Sequence, residues 1–553
     1  MRKSKRLLGL FLVLTLSVTA FFAFDAPNDR YFQIVKNLDI FASLFKEVNA
    51  YYVDEVNPNE MMKTGIDAML NSLDPYTNYI PEDAIEEYRT MTTGRYGGIG
   101  ALVGHRNGEN VVIMPHEGYP AYRAGMKIGD RIVAINGYEI EGRSSDEISQ
   151  LLKGQAGTPV TLKVRRFGED DLMEFTLIRE KIQIDNVTYS GMVADNVGLV
   201  RLTDFTMGAS REVKNAIEEL KKQGAESVIL DLRSNPGGLL NEAINICNLF
   251  VDRGQEVVST RGKVTEWNKT YRTLNPSFDT EIPVAVLINS GSASASEIVA
   301  GVLQDYDRGI LIGQKSFGKG LVQATRPLTY NSQLKVTTAK YYIPSGRCIQ
   351  ALDYTHRRPD GSVGKIADSL KVEFFTQNGR SVFDGGGVDP DVALAGQRLA
   401  PVTISLLRNN LIFDYATRYY YLHDKIAPAS NFHLSNSEYK DFMQWLSDKS
   451  FDHRSETEQE LAQLIATAKE ERYYDEISSQ LSALENRLSH NKEADLEKFK
   501  DEIIAELEQE IAAHYYLEIG RVESSFTHDQ EVQEAIRVLN QPEEIDQLLA
   551  RQN

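Results

Sequence analysis

The chain has 553 residues, of which 42% are hydrophobic, so it can bury several cores and form a multidomain globular protein. Its 60 basic and 79 acidic residues give a net charge of −19, which argues against nucleic acid or an anionic membrane as the main binding partner. Two cysteines, Cys247 and Cys348, cannot supply a disulfide framework; one bond between them is arithmetically allowed, but we expect free thiols.

Residues 1–24 have the layout of an export signal. The basic start Met1 to Arg6 precedes an apolar run, Leu7 to Phe24, in which Ala20 and Ala23 are candidate cleavage positions. The run also approaches the length of a membrane span and ends in phenylalanines, so a retained N-terminal anchor is the competing interpretation. No cysteine follows it closely, which disfavours a lipoprotein anchor. We therefore expect an exported protein, either periplasmic or anchored to the outer face of the cytoplasmic membrane.

Residues 29–92 are predicted to form a helical N-terminal cap. Apolar residues recur at helical spacing in Leu38 to Phe45 and in Met61 to Leu70. From Tyr96 the sequence changes to short strands and glycines, up to about residue 180. These glycines are not a nucleotide site, because neither a Walker pattern nor a dinucleotide fingerprint is present.

Residues 182–395 alternate strand and helix patterns, which predicts a mixed α/β core. Val197 to Leu202 reads as a strand and Arg211 to Gln223 as a helix. Two strand-turn-helix units follow. In the first, Val228-Ile-Leu-Asp-Leu-Arg-Ser-Asn-Pro-Gly-Gly-Leu-Leu240 leads into a helix containing Asn241 to Phe250; in the second, the apolar Val284 to Ile288 leads through a serine turn into a helix at Glu297 to Leu303.

The two cysteines carry no catalytic signal. Cys247 falls on the apolar stripe of Leu240, Ile244 and Val251, so we expect it in the core. Cys348 is predicted to lie in a strand, and nothing near it marks a nucleophile.

The serine turn Ser290-Gly-Ser-Ala-Ser-Ala-Ser-Glu297 is followed, 25 residues after Ser294, by Lys319 in Ser316-Phe-Gly-Lys-Gly320. A strand-turn-helix junction exposes its serine beside a helix N-terminus, where amides can stabilise an oxyanion. Serine needs a base, and lysine serves as one when burial lowers its pKa. The glycines flanking Lys319 allow a close approach of backbone, and Phe317 is expected to cover it. The pairing indicates a hydrolase.

A simpler interpretation exists for each motif taken alone. The serines could merely cap a helix, and Lys319 could be a surface charge in a glycine turn. The third motif, the Asn235-Pro-Gly-Gly238 turn, shifts the balance because Gly237 and Gly238 can present unobstructed N–H groups.

Together these segments resemble the carboxyl-terminal processing peptidases, or tail-specific proteases, a serine/lysine family. The resemblance runs from Leu73-Asp-Pro-Tyr76 through the glycines at Tyr96 to Gly387-Val-Asp-Pro-Asp391, and it includes Tyr342-Ile-Pro-Ser-Gly-Arg347. The motifs occur in the family's order. The resemblance implies a crotonase-like mixed α/β protease core with an inserted PDZ domain.

The resemblance also implies roles for individual residues. Ser294 matches the nucleophile, Lys319 the general base, and Gln323 the residue that orients the lysine. Residues four apart on an ideal strand lie ~13 Å apart, so Lys319 and Gln323 must meet through a turn or a bend. The oxyanion donors implied are the amide of Ala295 and one of the amides of Gly237 and Gly238.

Residues 95–180 resemble a PDZ domain, carried by Ala124-Gly-Met-Lys-Ile-Gly-Asp-Arg-Ile-Val-Ala-Ile-Asn-Gly137. By this resemblance, Gly97, Gly98, Ile99 and Gly100 form a loop whose amides hold the terminal carboxylate of a peptide, with Ile99 lining the pocket. A glycine-rich hairpin without a ligand is the alternative.

Residues 400–553 form a charged, helical C-terminal extension that the family motifs do not cover. Stripes such as Ile503, Leu507 and Ile511 predict packed helices in Asp475 to Leu488 and Asp495 to Ala513. Isolated helices of this length are marginal, so we expect the extension to dock on the core or to mediate self-association as a homo-oligomer. A solvated appendage is the alternative.

The sequence thus predicts an exported serine endopeptidase that recognises protein C-termini and cuts nearby, with no cofactor or metal. The main alternative is a PDZ adaptor or chaperone with an inactive protease core, although Ser294, Lys319 and Gln323 are all retained. A trypsin-like protease lacks its Gly-Asp-Ser-Gly-Gly context, and a metallopeptidase lacks its His-Glu-x-x-His helix.

Overall fold

A computed structural model describes residues 26–358, 360–449, 451, 456–488 and 492–550. The predicted signal or anchor at residues 1–24 lies outside these residues. Within them, no helix combines the length and the apolar character that a membrane crossing needs. The chain divides into two compact units, Met1–Tyr79 and Ile80–Asn553.

The first unit contains helices α1 (Ala26–Tyr51) and α2 (Pro58–Asn71), and strand β1 (Asn78–Ile80) lies at its boundary. Helix α2 begins with Pro58 after Asn57, whose Oδ1 accepts a hydrogen bond from the amide of Asn59 at 3.0 Å. The helices predicted for this region are confirmed. Helix α3 (Ile85–Thr93), which the predicted cap included, belongs to the second unit.

The elements of the PDZ region are β2 (Arg95–Gly98), β3 (Ala101–Arg106), β4 (Glu109–Pro115), α4 (Pro120–Arg123), β5 (Arg131–Ile135), β6 (Tyr138–Glu139), α5 (Ser145–Leu152), β7 (Pro159–Arg165), β8 (Met173–Ile178) and β9 (Glu180–Gln183). Its six-stranded sheet has the order β3-β4-β5-β7-β8, with β6 paired to β5. The entry and exit strands, β2 and β9, pair with each other. Helix α5 starts with a capping box, in which the amide of Ser144 donates to Glu147 Oε2 at 2.9 Å, and it buries Ile148 and Leu152 against the sheet.

The region of residues 182–395 alternates strands and helices, as predicted. Its elements are β10 (Val187–Ala194), β11 (Val197–Leu202), α6 (Ala209–Lys222), β12 (Ser227–Asp231), α7 (Leu240–Phe250), β13 (Glu256–Gly262), β14 (Lys269–Arg272), β15 (Val284–Ile288), α8 (Ala295–Asp305), β16 (Ile310–Gly313), β17 (Leu321–Pro327), β18 (Gln333–Tyr342), β19 (Leu352–Arg357), β20 (Val363–Lys365), β21 (Glu373–Phe375), β22 (Ser381–Phe383) and β23 (Val392–Ala393). Strands β13, β14, β17 and β18 form a separate antiparallel sheet.

The main sheet has the order β10-β11-β12-β15-β16-β23, antiparallel at β10 and parallel from β11 onward. Its central strands β12, β15 and β16 are fully buried and largely apolar because both faces of the sheet are covered there. Helices α6, α7 and α8 cover one face, where Cys247 is fully buried, as predicted. Cys348 lies in an irregular segment after β18 rather than in the predicted strand, and both thiols are free.

The C-terminal extension is helical, as predicted, and part of it covers the other face of the main sheet. Val532, Ala535 and Val538 pack against Ile229 and Leu287 of the sheet. The prediction that the extension docks on the core is therefore confirmed. Its helices are α9 (Pro401–Arg408), α10 (Leu411–Leu422), α11 (Asn436–Leu446), α12 (Glu456–Glu470), α13 (Tyr474–Leu488), α14 (Lys492–Lys498), α15 (Lys500–Ser525), α16 (Gln530–Leu539) and α17 (Pro542–Leu549).

Candidate active site

The serine turn connects β15 to α8, and Ser294 is the N-cap residue of that helix. Ser294 has φ 56° and ψ −111°, a sparsely populated conformation with positive φ that costs a residue with a side chain roughly 1–3 kcal/mol. The surrounding bonds hold this conformation in place. The amide of Ser294 donates to Glu297 Oε2 at 2.8 Å, and Ser292 Oγ donates to the carbonyl oxygen of Leu232 at 2.8 Å.

The glycine turn after β12 lies against the serine turn because β12 and β15 are parallel neighbours whose carboxyl ends share one edge of the sheet. Asn235 joins the two turns. Its carbonyl oxygen accepts from the amide of Ala293 at 3.0 Å and from Ser296 Oγ at 2.9 Å, and its Nδ2 donates to the carbonyl oxygen of Leu202 at 2.7 Å. Asn235 is fully buried.

Gly237 is the point of closest approach between the turns. It has φ 94°, and a Cβ placed on it would lie 2.7 Å from the nitrogen of Ala295 and 3.0 Å from Cβ of Ser294. Only glycine fits there. The amide of Gly237 donates to Asn235 Oδ1 at 2.9 Å, so it is engaged within its own turn. Of the two glycine amides, that of Gly238 is therefore the better candidate oxyanion donor. The amide of Ala295 is the other candidate donor.

A buried carboxylate, Glu297, joins the serine turn to the loop of Lys319. Its Oε2 accepts from the amides of Ser294 at 2.8 Å and Lys319 at 2.9 Å. Its Oε1 accepts from Ser316 Oγ at 2.6 Å and from the amide of Gly318 at 2.7 Å. Burial raises the pKa of the Glu297 carboxyl above its usual value, while the four donors act in the opposite direction.

The role of Glu297 was not predicted from the sequence. Its signal was nevertheless present, since Ser294-x-x-Glu297 has the spacing of a capping box. That motif explains a bond to the amide of the cap residue. It does not explain why the same carboxylate also binds a loop whose donors lie 19 to 22 residues further along the chain.

Lys319 lies in the loop between β16 and β17 and is half-buried. The Tyr341 hydroxyl hydrogen-bonds to the carbonyl oxygens of Lys319 and Ser294, the latter at 3.2 Å, so the backbones of both residues are bridged a second time. Gly318 and Gly320 approach Ala351 and Gln350 closely, leaving no room for side chains. Phe317, expected to cover the lysine, is instead 48% exposed because its side chain points outward from the loop.

Gln323 lies on β17, two residues after the start of that strand. Its Nε2 donates to the carbonyl oxygen of Leu321 at 3.3 Å and to Thr337 Oγ1 at 3.2 Å. The pairing of β17 with β18 shifts register between Val322 and Gln323, so the chain from Lys319 to Gln323 is not an ideal strand. The role of Gln323 in orienting the lysine stays a prediction.

The peptide-binding loop expected at residues 97–100 of the PDZ region differs from the observed structure, in which part of it is a strand. Gly97 and Gly98 lie in β2, paired with β9, and the carbonyl oxygen of Gly97 accepts from the amide of Gly154 at 3.0 Å. Only Ile99 and Gly100 form the turn to β3. Ile99 packs in the domain core, so its side chain does not line an open pocket. Peptide binding at these residues stays a prediction.

Comparisons with known proteins bear on the core and its flanking domains. A family model described as "Peptidase family S41" matches residues 196–360. The carboxy-terminal-processing protease of Bartonella bacilliformis is 39% identical over 324 residues, which cover 58% of this chain and 74% of that protein. The chain belongs to peptidase family S41. The resemblance identified from the sequence is thereby confirmed.

Other matches divide this S41 chain as the fold does. Models described as "PDZ domain" and "Probable PDZ-protease, C-terminal helical domain" match residues 111–166 and 402–539. The expected combination of a mixed α/β peptidase core, a PDZ domain and a C-terminal helical region is confirmed.

A "Probable CtpA-like serine protease" of Staphylococcus aureus is 37% identical over 316 residues, covering 57% of this chain but only 62% of that protein. Among solved structures, the photosystem II D1 C-terminal processing protease is 28% identical, with 64% of this chain and 92% of that chain covered and a TM-score of 0.33.

Proposed function

We propose that this S41 peptidase is a serine endopeptidase in which Ser294 is the nucleophile and Lys319 the general base. The observation that carries the proposal is the double bridge between the two residues. One oxygen of Glu297 holds the amides of both Ser294 and Lys319, and the Tyr341 hydroxyl binds both carbonyl groups. A peptidase needs its nucleophile and its general base held at a fixed distance and orientation relative to each other.

In the proposed reaction, neutral Lys319 accepts the hydroxyl proton as Ser294 Oγ bonds to the substrate's carbonyl carbon. The amides of Ala295 and Gly238 donate to the resulting oxyanion. The ammonium of Lys319 then protonates the leaving amine, and the C–N bond breaks to give an acyl-enzyme. Water, deprotonated by Lys319, releases the acid and regenerates Ser294. Gln323 is proposed to orient the lysine.

We further propose that the PDZ domain recognises the C-termini of protein substrates, as peptide-binding PDZ folds do by adding a strand to a sheet edge. A preference for apolar terminal residues stays a prediction, because Ile99 is packed in the domain core and lines no open pocket. Amidating the terminal carboxylate of a substrate should therefore weaken cleavage.

Export is proposed from the basic and apolar pattern of residues 1–24. Localisation to the periplasm or to the outer face of the membrane would be seen by cell fractionation and protease accessibility. Recovery of the protein only from the cytoplasm would contradict it.

The test uses purified full-length protein, unfolded protein substrates and mass spectrometry of the product termini. Ser294→Ala and Lys319→Ala should abolish cleavage without loss of folding, because neither change empties a large volume. Lys315→Ala is the matched control, since this lysine lies in the same loop but pairs with Asp389 at 2.9 Å and should leave cleavage intact. Full activity in either site variant would refute the serine/lysine mechanism, and an inactive wild-type protein that still binds C-terminal peptides would favour the adaptor.

A further inference from the structure

Arg233 lies at the start of the glycine turn, and all five of its N–H donors are bound. Nε and Nη2 donate to Asp231 at 2.9 and 2.8 Å. Nη1 and Nη2 donate to the two oxygens of Asp529 at 2.9 and 2.8 Å, and Nη1 also donates to Glu531 at 3.2 Å. One guanidinium group thus joins the end of β12 to the start of α16 in the C-terminal extension.

This cluster is largely shielded from water. The side chains of Arg233, Asp529 and Glu531 are 19%, 13% and 16% exposed, and that of Asp231 is 4% exposed. Burial alone would raise the pKa of Asp529, but the hydrogen bonds and the charge of Arg233 outweigh it and hold the pKa below its usual value. The bidentate contacts also fix the guanidinium plane, which a single-point ion pair would not do.

Arg233 immediately precedes the part of the turn that faces the serine. Ser234, the next residue, has φ 58°, and its amide donates to Asn289 Oδ1 at 2.8 Å. Asn235 follows and holds the amides of Gly237 and Ala293. A shift of Arg233 would therefore move a segment whose residues position Gly238 and Ala295.

Glu531 reaches the second catalytic loop as well. Its Oε1 accepts from Gln314 Nε2 at 2.8 Å, while its Oε2 binds Arg233. Gln314 directly follows β16 and begins the loop that leads to Lys319, and its amide donates to the carbonyl oxygen of Ile288 at 2.9 Å. The start of α16 thus contacts the first residues of the glycine turn and of the lysine loop.

Helix α16 provides a rigid base for these contacts. Asp529 is its N-cap residue, and Oδ1 accepts from the amide of Val532 at 3.1 Å. The helix buries Val532, Ala535 and Val538 against the main sheet. This apolar face is enough to hold α16 against the main sheet. The hydrogen bonds that Asp529 and Glu531 accept from Arg233 are not needed for that packing.

We propose that Asp529 and Glu531 are positioning residues of the peptidase site, through which the C-terminal extension holds the glycine turn and the lysine loop in their active arrangement. This inference rests on the proposed function for its catalytic consequence. Neither residue touches the reacting atoms. They act through Arg233 and Gln314.

The test compares full-length wild type with Asp529→Asn, Glu531→Gln and the double variant. Asparagine preserves the oxygen that caps α16, and glutamine preserves an oxygen for Gln314. Each change therefore removes one acceptor oxygen of Arg233 and one negative charge beside it. Glu534→Gln is the matched control because it removes one acidic charge from the same helix, where Glu534 binds Arg537 instead. The measurements are kcat and KM on a peptide, the melting temperature, and amide hydrogen exchange of residues 232–238 and 314–320.

The double variant is expected to have a kcat at least about tenfold lower than wild type, with a KM within about twofold of the wild-type value. Its backbone amides should exchange hydrogen faster in residues 232–238 and 314–320. The control Glu534→Gln should match wild type in all of these measurements. Unchanged kcat would overturn the proposal, whether or not exchange rises. A loss of activity in which exchange rises by the same factor throughout the chain, with no excess in those two segments, would also overturn it, in favour of general destabilisation. If Ser294→Ala remained active, the proposed function would fail, and hydrogen exchange would still show whether the two segments depend on Asp529 and Glu531.

Discussion

Replacing Glu297 tests whether the link between nucleophile and base depends on a carboxylate. Glu297→Gln keeps the shape of the side chain but turns one acceptor oxygen into an NH2 donor. The favourable orientation places the new NH2 toward Ser316, because a hydroxyl can reverse and accept, whereas the amides of Ser294 and Lys319 cannot. Those two amides would then still bind the remaining oxygen.

The structure gives the size of the effect. In the wild-type protein the amide of Gly318 donates to Glu297 Oε1 at 2.7 Å. In the variant with that orientation, this amide alone faces the new NH2 group and loses its acceptor. Leaving one buried amide without an acceptor costs roughly 1–3 kcal/mol. We expect Glu297→Gln to lower the free energy of unfolding by this amount and kcat by roughly tenfold, the equivalent of about 1.4 kcal/mol in the barrier.

Glu297→Ala removes all four acceptor contacts and leaves a cavity. It should lower stability by more than Glu297→Gln and reduce kcat by roughly a hundredfold or more, an effect similar to losing an oxyanion donor. Denaturant unfolding and steady-state kinetics on the purified chain measure both quantities. Glu219→Gln is the control, since Glu219 is exposed on α6 and binds Lys222. Wild-type kcat in Glu297→Ala would refute the view that this carboxylate positions the site.

Buried strands and their turns were predictable from the sequence because local pattern alone determines them. Val284–Ile288 is an uninterrupted apolar run and Val197–Leu202 is a short run rich in apolar residues, and each forms a strand with those bounds. The parallel pairing of two such strands then brings their following turns together, so the proximity of the serine and glycine motifs follows from the alternation of strand and helix.

Contacts that depend on tertiary structure were not predictable. Arg233 and Asp529 are separated by 296 positions, and no periodicity relates them. The glycines at 97 and 98 looked like a loop because glycine disfavours strands, but pairing with β9 overrides that preference. Phe317 was expected to shield Lys319, yet the direction of a loop side chain is not encoded in spacing.

The remaining predictions concern the glycine turn, the base and the extension. Gly237→Ala should reduce kcat roughly a hundredfold, since its Cβ would overlap the nitrogen of Ala295, and kinetics would check this against the open-space control Gly224→Ala. Activity should decline on acidification and persist at mildly alkaline pH because Lys319 must be neutral; an optimum near pH 4 would indicate carboxylate chemistry instead. Truncation at Ala400 should lower the melting temperature by exposing the sheet face that α16 covers, whereas an unchanged melting temperature, sedimentation mass and activity would show the extension to be dispensable.

Finally, Asp529→Asn should be less stable than wild type at neutral pH. The pKa of Asp529 is lowered from its ordinary 3.8 in the folded protein, so its ionised form contributes stability that is present above that value. The contribution is lost as the pH falls through the lower folded pKa, where wild type and variant both carry a neutral side chain. The stability difference between them should therefore be constant near neutrality and shrink below about pH 4. A difference that stayed the same down to pH 2, measured by denaturant unfolding, would show that the charge of Asp529 does not stabilise the contact with Arg233.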